Sequence, residues 1–87
     1  MAKKYRFFES NCRNHFLERV EERYGLVFDK TDYIDIREKI RNGIATFLKR
    51  SGSCDLYKVV HQERKIFVAF DYHKNVPRTA LLKEHCD

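Results

Sequence analysis

The chain has no tryptophan, one proline and three glycines among its 87 residues. Pro77 and the glycines at 25, 43 and 52 are too few for a linker or a low-complexity segment, and no internal repeat is visible. Long apolar runs are missing as well. The longest strongly apolar block, "IFVAF" (66–70), is strand-sized, far short of the roughly 20 residues that span a bilayer. The amino end, "MAKKYRFFE", lacks the apolar stretch of a secretory signal. Together these absences predict a cytoplasmic protein with no membrane partner. No Cys-x-x-Cys pair exists either, and the three cysteines, Cys12, Cys54 and Cys86, are an odd number. They read as reduced thiols. Cys12 with His15 on one helix face, or His85 with Cys86, falls short of a zinc ligand set, so no metal and no cofactor is expected.

What the chain does have is enough apolar material for a core. Hydrophobic residues make up 43% and aromatics 14%, all of them Phe and Tyr. That content excludes a disordered chain, and the length fits one domain over residues 1–87. Charged residues are 36%, with a net charge of +5. A basic balance favours a polyanionic partner, whether RNA, DNA or an acidic protein surface.

Along the chain, "KYRFF" (4–8) alternates and reads as a short first strand or an arm. Its positive charges suit a nucleic-acid arm or an edge strand protected by lysine. Ser10 or Asn11 can cap a helix running to about Tyr24, where Gly25 ends it, with Cys12, Phe16, Leu17, Val20 and Tyr24 as its apolar face. Thr31 or Asp32 can cap a second helix from about Tyr33 to Asn42, with Tyr33, Ile36 and Ile40 buried and Gly43 at its end. Strand patterns follow at 44–50, 54–61, 65–73 and 78–84, separated by the turns "SGS", "QER" and "KNVP". The predicted fold is α+β: two helices packed on a four-stranded antiparallel meander, with one sheet face on the helices and the other partly wet. The 65–73 strand, apolar on both faces, should be central.

"HFLERVEER" (15–23) carries the chemistry. Wound as a helix, it stacks His15, Arg19 and Arg23 four residues apart along one stripe. Like charges at that spacing repel, so the arrangement asks for a reason. Metal-free RNA cleavage supplies one. It needs a proton carrier, which histidine suits, and cations that grip a phosphate, which arginine does with two parallel bonds. The plainer reading pairs Arg19 with Glu22 on the surface and ties Arg23 to the sheet by a salt bridge to Asp71.

The run H-x-x-x-R-x-x-x-R-Y-G-L, a second helix ending I-R-N-G, a basic strand before a Ser/Gly turn, then V-A-F-D and R-T-A-L resemble a family. They are similar to small phage and bacterial proteins related to the RelE, barnase and colicin-nuclease group, the BECR fold, over roughly residues 12–84. The resemblance implies a metal-independent endoribonuclease of toxin type, with a site on His15, Arg19, Arg23, Asp71 and Thr79. His15 would be the general acid or base, Arg19 and Arg23 the phosphate clamp with Arg78 beside them, Asp71 an orienting group, and Thr79 a hydrogen-bonding group. An antitoxin or host protein is the further partner so implied. The chain finishes "KEHCD", without the basic and aromatic end of the ribosome-dependent toxins, which sets it apart from them.

A second set of groups falls on the sheet. Lys49, Arg50, Lys58 and Arg78, with Tyr57 among them, could hold RNA backbone and stack bases. His61 and His73 stand next in line for the second proton carrier. The competing expectation is a non-catalytic phage-type inhibitor or modulator that binds a host protein or nucleoprotein through this basic face.

Overall fold

The computed structural model describes the backbone of residues 2–83 and the side chains of residues 11–83. Its elements run α1 (Ala2–Tyr24), α2 (Lys30–Arg41), β1 (Thr46–Ser51), β2 (Cys54–His61), β3 (Arg64–Asp71) and β4 (Val76–Leu81). The strands form one antiparallel sheet in the order β1-β2-β3-β4. This is the α+β meander that the sequence predicts, with β2 and β3 central. No helix among the described residues is long and apolar enough to cross a membrane.

The first element differs from expectation. Residues 4–8 are neither a strand nor an extended arm, because the backbone is already helical from Ala2. Ser10 and Asn11 therefore lie inside α1 and do not cap it. The physical reason is cooperativity: once the 12–24 segment forms a helix on the core, each residue added upstream gains a bond without a new nucleus.

Helix α2 begins three residues before the predicted Tyr33. Asp29 is its N-cap, in a reciprocal box with Asp32. The Asp32 amide donates to the Asp29 carboxylate at 3.0 Å, and the Asp29 amide donates to the Asp32 carboxylate at 2.9 Å. The box needs an acceptor at N3, and aspartate serves where glutamate is usual. The helix ends in a left-handed turn at Gly43 (φ +74°). There the amides of Gly43 and Ile44 return to the carbonyls of Ile40 and Lys39.

Strand β4 also starts earlier than expected, at Val76, so Val76 and Pro77 are strand and not loop. A proline fits because β4 lies at a sheet edge, where one backbone side needs no ladder bond. Asp71 shortens the preceding turn. Its Oδ1 accepts from the amides of His73 (2.9 Å) and Lys74 (3.0 Å), while the Asn75 amide donates to its backbone carbonyl at 2.7 Å. Glu84, predicted as the end of the last strand, lies outside the described residues, as do His85 and Cys86.

The core joins Phe16 and Val20 of α1, Tyr33, Ile36 and Ile40 of α2, and Val59, Ile66, Val68, Phe70 and Ala80 of the sheet. Phe16 meets Tyr33 edge to face, with ring centroids 5.5 Å apart. α1 packs chiefly against β4. Side chains from both helices take up carbonyls of that strand and its entry. Arg23 donates to Ala80 O at 2.7 Å and Tyr33 to Pro77 O at 2.8 Å. The Tyr24 hydroxyl donates to Leu81 O, and Arg41 donates to Asn75 O. Tyr24 also accepts from the Phe67 amide at 3.0 Å, so its hydroxyl bridges the end of the β3–β4 ladder.

Candidate functional site

Two open clefts of about 290 Å³ each flank α1. Their linings decide what each can receive. One is bounded by Asn14, Leu17, Glu18, Glu21, Val27 and Phe28, and its two glutamates repel an anion. The other is bounded by Asn11, Cys12 and His15 of α1 and Arg78 of β4. Asn11 and His15 are one turn apart, so they stand on one stripe, with Cys12 beside them turned to the interior.

Arg78 owes its position to an irregularity in β4. Ala69 pairs with Thr79 but Phe70 pairs with Pro77, which leaves Arg78 as an extra residue without a partner on β3. Such a bulge re-aims a side chain. Here the guanidinium is about half exposed, with Nη1 3.7 Å from Oδ2 of the buried Asp71. The carboxylate that organises the turn thus also restrains the arginine. His15 is exposed at the cleft. Burial pushes the Cys12 thiol up, against the opposing pull of the Arg78 charge. A thiol held protonated is a poor nucleophile and a poor metal ligand. Among the described residues no three His, Cys, Asp or Glu side chains are grouped to hold a metal ion.

Of the predicted site residues, His15 is brought to this cleft, with Asp71 behind Arg78. The others have different engagements. Arg19 pairs with Glu22, as the plain surface reading has it. Arg23 is half-buried and donates to the β4 backbone; the carboxylate expected for it, Asp71, lies beside Arg78 instead. Thr79 is paired with Ala69 and alternates with the core residue Ala80, so its side chain lies on the other face of the sheet.

The second predicted set divides in two. Lys49 and Arg50 lie on β1, and Tyr57 and Lys58 on β2, away from Arg78 on β4. Arg50 is committed to Asp55, with contacts of 2.7 and 3.3 Å, and its guanidinium sits 3.9 Å over the Tyr72 ring. Tyr57 stands between Phe47 and Phe70, edge to face with both. Burial, then the neighbouring Asp55 charge, raises its phenol above the ordinary tyrosine range.

A polar cluster escaped sequence reasoning. The His61 ring, buried at the end of β2, has Nε2 2.8 Å from Asp32 Oδ1 and Nδ1 3.2 Å from Lys39 Nζ. Lysine can only donate, so Nδ1 accepts and Nε2 carries the proton toward Asp32. Gln62 adds a donor to the same Asp32 oxygen at 2.8 Å. The bond from His61, then the Asp29 amide, holds the Asp32 carboxyl below the usual range. Both ring nitrogens are engaged, which fits a clamp between α2 and β2 and leaves no free nitrogen for proton transfer. His73, the other candidate, lies against its neighbour Tyr72 at the β3–β4 turn, with centroids 4.3 Å apart and the ring planes tilted by 39°. The signal for the clamp was the D-x-x-D spacing of the capping box, which places Asp32 at the start of α2. Comparison of the chain with known protein families, with curated proteins and with solved structures gives no match.

Proposed function

We propose that the chain is an RNA-binding protein whose α1–β4 cleft receives a phosphodiester, and that His15 makes it a metal-independent endoribonuclease. The observation that carries this reading is the sharing of one open cleft by His15 and Arg78. Arg78 is the phosphate grip, restrained by Asp71. This reassigns the grip from Arg19 and Arg23, whose guanidiniums are engaged elsewhere. His15 takes the proton of a ribose 2′-hydroxyl, and that oxygen bonds to phosphorus. The bond from phosphorus to the 5′-oxygen breaks, and the leaving oxygen receives the proton from the imidazolium. The products are a 2′,3′-cyclic phosphate and a free 5′-hydroxyl. Arg78 and the net charge of +5 favour the crowded, doubly charged phosphorane.

The test is incubation of the purified protein with total RNA in excess EDTA. Cleavage with cyclic phosphate ends, lost in His15→Ala and reduced at least tenfold in Arg78→Ala, is the expected result. Arg19→Ala should retain most of the activity. Intact RNA with the wild-type protein, or undiminished cleavage by a folded His15→Ala, overturns the reading.

A further inference from the structure

The second cleft beside α1 lies between that helix and the 25–29 link to α2. Its walls are held from both sides. Gly25, at φ +67°, turns the chain out of α1, and its amide donates to Glu21 O at 2.9 Å. Phe28 then enters the core and meets the His61 ring edge to face at 5.1 Å. Val27, one residue earlier, is left 83% exposed. A single exposed valine needs no explanation. This one adjoins Leu17, half-buried on α1, so the groove of about 290 Å³ has an apolar wall on each side.

Two exposed carboxylates, Glu18 and Glu21, line the same groove. They are three residues apart on α1 and therefore neighbours, so they repel each other. No lysine or arginine lies three or four residues from either along the helix. Arg19 and Arg23, the nearest in sequence, are given to Glu22 and to Ala80 O. Among the described residues neither carboxylate has an ion pair or a hydrogen bond. A chain of net charge +5 thus keeps two uncompensated negative charges beside an apolar groove.

We infer that this groove docks an arginine or lysine side chain carried on an apolar segment of another protein. The aliphatic stem lies between Leu17 and Val27, and the charged head reaches Glu18 and Glu21. Charge selects the class of occupant, because the carboxylates attract a cation and repel a phosphate. Two carboxylates with no third ligand grouped beside them, among the described residues, fall short of a metal site. A small ammonium ion would leave Leu17 and Val27 wet. A second copy of this chain would have to dock head to tail, adding +5 to +5 at each step. The same net charge favours one or two cations among apolar residues over a polybasic run. The groove is a different cleft from that of His15 and Arg78, so its occupant does not depend on RNA cleavage.

The experiment uses the full ¹⁵N-labelled chain in about 0.15 M salt. The probe is a capped seven-residue peptide with a central arginine flanked by valine, leucine and alanine on each side. Amide shifts are followed through titration. The expected result is saturable binding with a dissociation constant of about 1 mM or tighter, with shifts centred on residues 17–21 and 27–28. Citrulline in place of arginine keeps the shape and removes the charge, and that peptide should bind at least tenfold more weakly. Glu18→Gln combined with Glu21→Gln, checked for native fold by circular dichroism, should weaken binding at least tenfold, and Val27→Ser about threefold. Glu22→Gln, whose carboxylate serves Arg19, should stay within twofold. Absent binding, shifts centred elsewhere, equal binding of the citrulline peptide or undiminished binding by the double variant overturns the inference. So does a loss in Glu22→Gln equal to that of the double variant. Methylguanidinium giving the same shifts at the same affinity would mark a small-cation site and overturn it. Self-association in sedimentation that vanishes in the double variant would identify a second copy as the occupant and also overturn it.

Discussion

The two edges of one four-stranded sheet are treated in opposite ways. At β4 the helices supply arginine and tyrosine donors to the carbonyls of Asn75, Pro77, Ala80 and Leu81. At β1 every residue is exposed. An edge can be closed by another strand, or by side chains that satisfy its backbone without extending the sheet. α1 does the latter. The difference also separates two kinds of basic residue. Arg23 and Arg41 are spent on backbone oxygens and contribute to the fold, while Arg50 of β1 is spent on the Asp55 carboxylate and the Tyr72 ring.

The largest expected effect comes from removing the packing that seats α1 on β4. Phe16 is fully buried and contacts Tyr33. Phe16→Ala should cost about 3–5 kcal/mol, the usual range for deleting a buried aromatic ring. Urea denaturation followed by circular dichroism measures it. With so large a fraction of a small domain's stability gone, β4 amides should also exchange faster, so the covered edge becomes like the bare one. A loss under 1 kcal/mol would mean that α1 is held by something other than its apolar face.

Next comes the hydroxyl that bridges the end of the β3–β4 ladder. Tyr24→Phe keeps the ring and removes one oxygen, leaving the Phe67 amide and the Leu81 carbonyl to find new partners. Partly buried groups left this way cost about 1–3 kcal/mol. The loss should be read in the same denaturation assay, with faster amide exchange at Phe67 and little change in β1. If exchange rises equally at both edges, the hydroxyl supports the whole sheet and not the β4 edge alone.

The contrast between edges was only half legible in the sequence. Periodicity found β2 to the residue, and Gly43 marked the end of α2, because both depend on local geometry. The α1 apolar face was legible for the same reason, and Phe16 and Val20 are core. The partner of Arg23 was not. Its acceptor is a backbone carbonyl 57 positions away, and a carbonyl has no residue type to betray it. A carboxylate was the natural guess, and Asp71 is instead occupied with its own turn and with Arg78. Arg78 entered only beside the Arg19 and Arg23 clamp and not as its main group, because a bulge shifts facing by one residue and leaves no mark in the alternation around it. The amino end misled through its short alternating pattern, which a helix extended from Cys12–Tyr24 overrides.

The smallest effect belongs to the bare edge. Phe47→Ala removes a ring that is half in water and touches Tyr57 from one side. Only the buried half of its area counts toward folding, at about 25 cal/mol per Å². The surrounding solvent fills the space, so no cavity remains to add a further cost. The expected loss is therefore under about 1 kcal/mol, several times smaller than for Phe16. Denaturation of the two variants side by side gives a direct ratio. A comparable loss at Phe47 would mean that the aromatic row from Phe47 through Tyr57 to Phe70 is part of the core, and that β1 depends on it for its place in the sheet. A small loss leaves the exposed ring without a folding role.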